Sequence, residues 1–137
     1  MPSTTYIDEL LRQELAASAE IASQVGSRIY TVQAPQGTAW PCLVVARNTQ
    51  GGEAFADMLG NSGLTRAMYM VSALSDSLEE VRNLARAVRA LLQYKQTEGI
   101  RLIVVTDEDE QQEESPGGEQ LPLYRTDLTI QVTYTAT

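Results

Sequence analysis

The chain has no histidine and a single cysteine among its 137 residues. Together these two shortages remove several chemistries. Without histidine there is no Ser–His–Asp or Cys–His machinery, no Cys2His2 zinc finger and no histidine metal triad. One cysteine cannot close an internal disulfide. Cys42 lies in the apolar run CLVVAR and reads as a small buried hydrophobe rather than a reactive thiol. Long apolar runs are missing too: none approaches the roughly 20 residues that a membrane helix needs. The opening MPSTTYIDELL has no signal-peptide pattern. The expectation is a soluble protein, made in a cytosol, with no membrane partner.

Positive charge is also scarce. Ten Lys and Arg against 18 Asp and Glu leave a net charge of −8, which argues against tight phosphate-mediated binding of nucleic acid. The imbalance is local, because DEDEQQEE, Asp107 to Glu114, holds six of those 18 acids. The acidity therefore belongs to one segment rather than to the whole surface.

What is present is an ordinary globular composition, 43% hydrophobic, with no internal repeat and no second core, so residues 1–137 are expected to form one domain. Its centre is the stretch from Leu64 to Lys95. In LTRAMYMVSALS, Met68, Met70, Ser72 and Leu74 alternate with Ala67, Tyr69, Val71 and Ala73, and neither set is charged, so both faces could be covered as in an interior strand. Ser77 and Glu80 then have capping-box spacing, and Leu78, Val81, Leu84, Ala85, Val88, Leu91 and Leu92 mark one helix face. Ahead of this, Thr5 is positioned to cap a first helix from about Tyr6 to Ala22, which Gly26 ends. Glu14 falls within that helix's apolar arc, either at its solvent edge or as an acid awaiting an arginine.

RIYTV and CLVVARN read as strands. Between Asn48 and Leu64 the segment TQGGEAFADMLGNSG reads as a long loop or mobile arm. IRLIVV starts a further strand at Ile100, and the acidic tract with SPGG, Thr106 to about Gln120, reads as a protruding loop. The closing LYRTDLTIQVTYT alternates Leu128, Ile130, Val132 and Tyr134 with polar residues, as a half-buried strand does. The expected fold is α+β: a mostly antiparallel sheet, two helices packed on one face, and long loops at the β-hairpin and before the last strand.

The run VGSRIYTVQAPQGTAWPCLVV, Val25 to Val45, resembles the tail-completion, or tail-terminator, proteins of long-tailed bacteriophages. The resemblance rests on Val25, Gly26, Arg28, Ile29 and Tyr30, then on Pro35, Gln36 and Gly37, then on Pro41 entering an apolar strand. It continues through the helix LEEVRNLARAVRALL and the alternating strand DLTIQVTYT, covering nearly the whole chain in order. The acidic insert Asp107–Glu119 departs from that pattern, so its role does not carry over.

The resemblance implies a structural virion protein in the tail neck, assembled in the host cytoplasm, without catalysis or cofactor. It implies a homo-oligomeric ring, usually a hexamer, at the head-proximal end of the tail. Such a ring ends polymerisation of the tail tube protein and meets the head completion or connector protein, while genomic DNA passes through unheld. Two alternatives stay open: another neck, head-completion or tail-tube-like subunit, or an acidic binding module that mimics nucleic acid.

Three features carry candidate contacts. Arg82, Arg86 and Arg89 recur four and three residues apart on one helix. They are either a solvent edge balanced by Glu79 and Glu80 or a stripe that docks acids of a neighbour, since a guanidinium pairs with carboxylates bidentately. In a ring, that stripe would meet Asp107 and Asp109 of the next subunit, with Glu108, Glu110, Glu113 and Glu114 as acids at the lumen or rim. Trp40, in the loop before Pro41, either anchors an interface or caps the core beneath the loop. Consecutive acids without calcium-loop spacing do not build a metal shell, and the glycine-containing loops lack the lysine of a phosphate cradle, so no metal or cofactor is expected.

Overall fold

A computed structural model of the chain describes residues 7–35, 37–47, 53–55, 64–97, 99–114 and 122–135. Its frame is the sheet order β1-β2-β4-β6-β5, formed by Ile29–Thr31 (β1), Cys42–Arg47 (β2), Leu64–Ser75 (β4), Ile100–Glu114 (β5) and Pro122–Thr135 (β6). Only β1 and β2 run parallel. A short strand, Glu53–Phe55 (β3), pairs with the start of β4 and continues the edge that β2 begins.

The central strand is held by a long antiparallel register with β6, from Leu64↔Thr135 to Ser75↔Tyr124. Alternation then sends Ala67, Tyr69, Val71 and Ala73 of β4, Leu128, Ile130 and Val132 of β6, and Leu43 and Val45 of β2 to one face. All of them are buried in the main core. That face is covered by the helices Ile7–Ala17 (α1), Ala19–Val25 (α2) and Leu78–Leu92 (α3). α1 contributes Ile7, Leu11 and Leu15, α2 contributes Ile21 and Val25, and α3 contributes Val81, Leu84, Ala85, Ala87, Val88 and Leu92. The α+β class, the mostly antiparallel sheet and the one-sided helical layer are as expected.

Three expectations need correction. The first helix is two helices, because Ser18 leaves the helical conformation (φ −79°, ψ 121°) and its hydroxyl accepts from the Ile21 N–H at 3.4 Å, starting α2. A serine that offers its own side chain to the backbone competes with an uninterrupted helix. Gly26 ends α2 at positive φ (59°), as glycine permits. The expected cap Thr5 lies outside the described residues.

The second correction is the segment after β2, expected to be a loop or arm. Glu53–Phe55 is a strand there, and the rest of that segment lies outside the described residues.

The third correction is the largest. The acidic tract is not a loop: β5 runs through it to Glu114, every residue from Asp107 paired with β6. Acidic residues are poor strand formers, but an edge strand needs no core on its outer side, and the ladder with β6 satisfies its backbone. Residues 115–121 lie outside the description.

α3 begins on a relay of hydroxyls. Ser77 Oγ accepts from the Glu80 N–H at 3.4 Å, as the capping-box spacing anticipates. The return bond runs through buried Ser75, whose Oγ accepts from the Ser77 N–H at 3.1 Å and donates to Glu80 Oε2 at 2.6 Å. On the opposite side of the sheet a smaller cluster forms around Cys42, Leu74 and Leu123, with Tyr30, Ala34, Trp40 and Val44 packed against it.

Two outcomes follow from this packing. Val88 is fully buried in the main core; Val88→Asp strands a carboxylate there and should cost about 3–5 kcal/mol, visible as a drop in Tm by thermal denaturation. An unchanged Tm would refute the packing. Burial pushes the Cys42 thiol up to about 11, the Arg28 charge offsetting only part of this. At pH 8 the native protein should therefore leave a thiol reagent unconsumed and react with one equivalent only after denaturant is added.

Candidate functional site

The arginine row and the acidic tract, far apart in sequence, meet within one chain. The residues that bring them together are two irregularities in β5. Register shifts between Ile100 and Leu102 and between Val105 and Asp107 insert extra residues into the strand. Before the second shift, Ile103 and Val105 stand opposite Val132 and Ile130 and face the helices. The bulge at Thr106 reverses the parity, so that Glu108 and Glu110, opposite Leu128 and Thr126, take over the helix-facing side. Asp107, Asp109 and Gln111 are thereby turned to the other face.

α3 presents Arg82, Arg86 and Arg89 to that edge. Arg82 grips Glu110 bidentately, Nε to Oε1 at 2.9 Å and Nη2 to Oε2 at 3.1 Å. Arg89 Nη1 donates to Glu108 Oε1 at 3.3 Å. Helix and strand run so that the earlier arginine meets the later acid. Arg86, between them, makes no hydrogen bond or ion pair with any described residue. These three arginines, Ala85, the two glutamates and Thr126 line a cleft of about 220 Å³. Thr126 is 2% exposed and its Oγ1 has no hydrogen-bond partner. On its other side Arg86 borders a larger cleft, about 500 Å³, between α2 and α3, which Glu20 and Glu80 also line.

The remaining expected site residues are placed as follows. Asp109 accepts from Gln111 Nε2 at 2.7 Å on the face away from the helices. Asp107 is exposed, with no described partner. Glu113 and Glu114 lie at the far end of β5, opposite Leu123 and Pro122. Trp40 is half-buried against the Cys42–Leu74–Leu123 cluster, leaving part of the indole at the surface. Glu14 has found its cation, a lysine: Lys95 Nζ is 3.4 Å from Oε2, and Thr97 Oγ1 donates to Oε1 at 3.0 Å.

One polar cluster escaped the sequence reading. On the helix-free face Asp127 Oδ1 accepts from Ser72 Oγ at 2.6 Å and from Arg125 Nε at 2.7 Å, tying β4 to β6. Its signal was the i, i+2 spacing of Arg125 and Asp127, which puts both on one side of a strand. Among the described residues no group of three or more His, Cys, Asp or Glu is placed to hold a metal. What the arrangement offers chemically is recognition of carboxylates by guanidinium groups.

The Arg82 hydrogen bonds hold the Glu110 carboxyl below its ordinary value. A carboxyl depressed in the folded state contributes stability above its unfolded value, which is lost as pH falls through the folded one. The contribution is small because the pair is exposed. NMR titration should place Glu110 below the usual carboxylate range, and Arg82→Ala should return it there; an unshifted Glu110 in the native protein would refute the pair.

The comparisons with known proteins agree with this architecture. The family model for tail completion protein gp17 matches residues 9–135. No match is found among curated proteins. Among solved structures, a chain of the virion of a native gene transfer agent particle superposes with a TM-score of 0.69 at 18% sequence identity, covering 93% of this chain and 93% of that one. At that identity the superposition shows the shared fold alone. The family match reaches from the first described helix to the end of the last strand, and the chain belongs to the tail completion protein gp17 family, as a structural protein of a bacteriophage virion tail.

Proposed function

We propose that the chain forms a closed ring, hexameric in the family's usual manner, at the head-proximal end of the tail. There it ends growth of the tail tube and offers its other side to the head connector, with no catalytic step. The observation that carries this reading is the family match over 9–135, which spans every described element except the first two residues of α1.

Surface features support it. A closed ring needs two different patches that meet heterologously. Val32 and Tyr94 are 71% and 69% exposed, and both are non-glycine residues at positive φ (74° and 62°). A β-branched residue in that conformation is strained. Such strain recurs where a residue is held out for function. They flank opposite edges of the sheet: Val32 follows β1, and the Tyr94 N–H donates to the Ile103 carbonyl of β5. Half-buried Met68, Met70, Val44 and Val104 lie on the sheet face away from the helices, where assembly would cover them.

The acidic-mimic alternative is weakened, since Glu108 and Glu110 are already neutralised by arginines of α3. The role of repelling DNA at the lumen or rim then passes to Glu113 and Glu114 at the end of the hairpin.

The test is to mix the chain with growing tubes of the tail tube protein, then image them and measure mass by light scattering. Rings on one tube end, with tube growth stopped, are expected. Tubes that lengthen unchanged and carry no added density would refute the reading.

A further inference from the structure

We infer that the Arg86 cleft is a receptor for one carboxylate side chain of a second copy of this chain, Asp107 of the neighbour. The inference rests on the ring reading and adds to it the contact by which copies recognise each other.

Charge is the first argument. Within this cleft three guanidinium groups face two carboxylates, an excess of one positive charge, while Glu20 and Glu80 border Arg86 only from the neighbouring cleft without pairing with it. That charge sits on Arg86, because Arg82 and Arg89 are engaged by Glu110 and Glu108. The two ion pairs also stand as posts on either side of Arg86 and narrow what can enter.

A buried hydroxyl points to the same ligand independently of charge. Thr126 lines the cleft, and its buried Oγ1 has no hydrogen-bond partner among the described residues. A buried hydroxyl without a partner is costly, and an arriving carboxylate accepts from the hydroxyl with one oxygen and from Arg86 with the other. A volume of about 220 Å³ suits a side-chain carboxylate and is small for a nucleotide or an aromatic ligand.

Asp107 is the donor of that carboxylate. Asp107 is exposed and has no described partner. The Thr106 bulge turns it away from its own cleft, onto the opposite face from Glu108. It cannot serve its own Arg86, yet it is well placed to serve another copy's. Each copy carries one cleft on the helix side and one such acid on the other, so the contact is heterologous and repeats once per subunit around a ring. This revises the expectation that the entire arginine row meets the acids across the interface: two of the three arginines are spent within the chain, and Arg86 alone is left for the neighbour.

The test uses the full chain under conditions where the wild type assembles, read by light scattering and by capping of tail tubes. Arg86→Glu and Asp107→Arg should each weaken association about ten- to a hundredfold, the range for loss of a charge-assisted hydrogen bond. The combined Arg86→Glu/Asp107→Arg chain should recover much of it. Thr126→Val should also weaken association while leaving the monomer's Tm equal or higher, since it removes an unsatisfied buried hydroxyl; a merely structural threonine would lower both.

Assembly that is indifferent to Arg86 would overturn the inference while leaving the ring reading intact. A wild type that never assembles, alone or on tubes, would overturn both. Failure of the double swap to recover would remove Asp107 as the donor. If inorganic phosphate binds the isolated chain in an Arg86-dependent way and Arg86→Glu assembles normally, the cleft is a site for a free oxyanion and the inference is overturned.

Discussion

The constraint on which the rest of this structure depends is the register of β4 against β6. Twelve consecutive pairs lock these two strands, and with a side-chain period of two a slip of one residue would turn Tyr69, Val71, Leu128 and Ile130 outward together. The three helices have one face to cover because that register holds. Their apolar stripes, from Ile7 to Leu92, converge on it. The Asp127 cluster reinforces the same pair of strands from the other side, linking Ser72 of β4 to Arg125 of β6 through one carboxylate.

From this frame the β5–β6 hairpin extends beyond what the core requires. Its base is apolar, with Ile100 and Ile103 buried in the main core, and its distal half is acidic and exposed. Charge along an edge strand discourages indiscriminate pairing with other strands. Here the same acids have a second use. The Thr106 bulge divides them between two faces: Glu108 and Glu110 brace the hairpin against α3, and Asp107 and Asp109 face the other way. One inserted residue thus separates the acids that brace the hairpin from those on the other face. The exposed pairs add little stability individually. Their value is positional, since they orient the hairpin and the arginines relative to the core.

A structural tail protein has to be stable by itself and yet unfinished at its surface. The core is closed on the helical side. On the opposite sheet face Met68, Met70, Val44 and Val104 are only half-buried, Val32 and Tyr94 are exposed at positive φ, and Arg86 and the Thr126 hydroxyl have no partner among the described residues. In the proposed ring these would be the places where assembly recovers free energy that folding leaves unused.

Much of the fold was legible in the chain itself. The alternation of β4 and β6, the seven apolar positions of α3, the Ser77 cap and Gly26 are local patterns with local causes, and they place the core and the α+β class without knowledge of any contact. The family resemblance was likewise carried by contiguous runs. What only tertiary structure decided is non-local. DEDEQQEE looks like a solvated loop because nothing in its own composition favours a strand, and β6 alone makes it one by pairing with its backbone. Which acids face the arginines depended on a bulge, a register event with no signature in composition. Glu14 met a lysine 81 positions away, and Trp40 met a second cluster that exists only once β2, β4 and β6 are side by side. Periodicity determines what a segment buries. The partner strand determines which way its remaining side chains point, and here that decided which acids pair with arginines inside the chain and which face the other way.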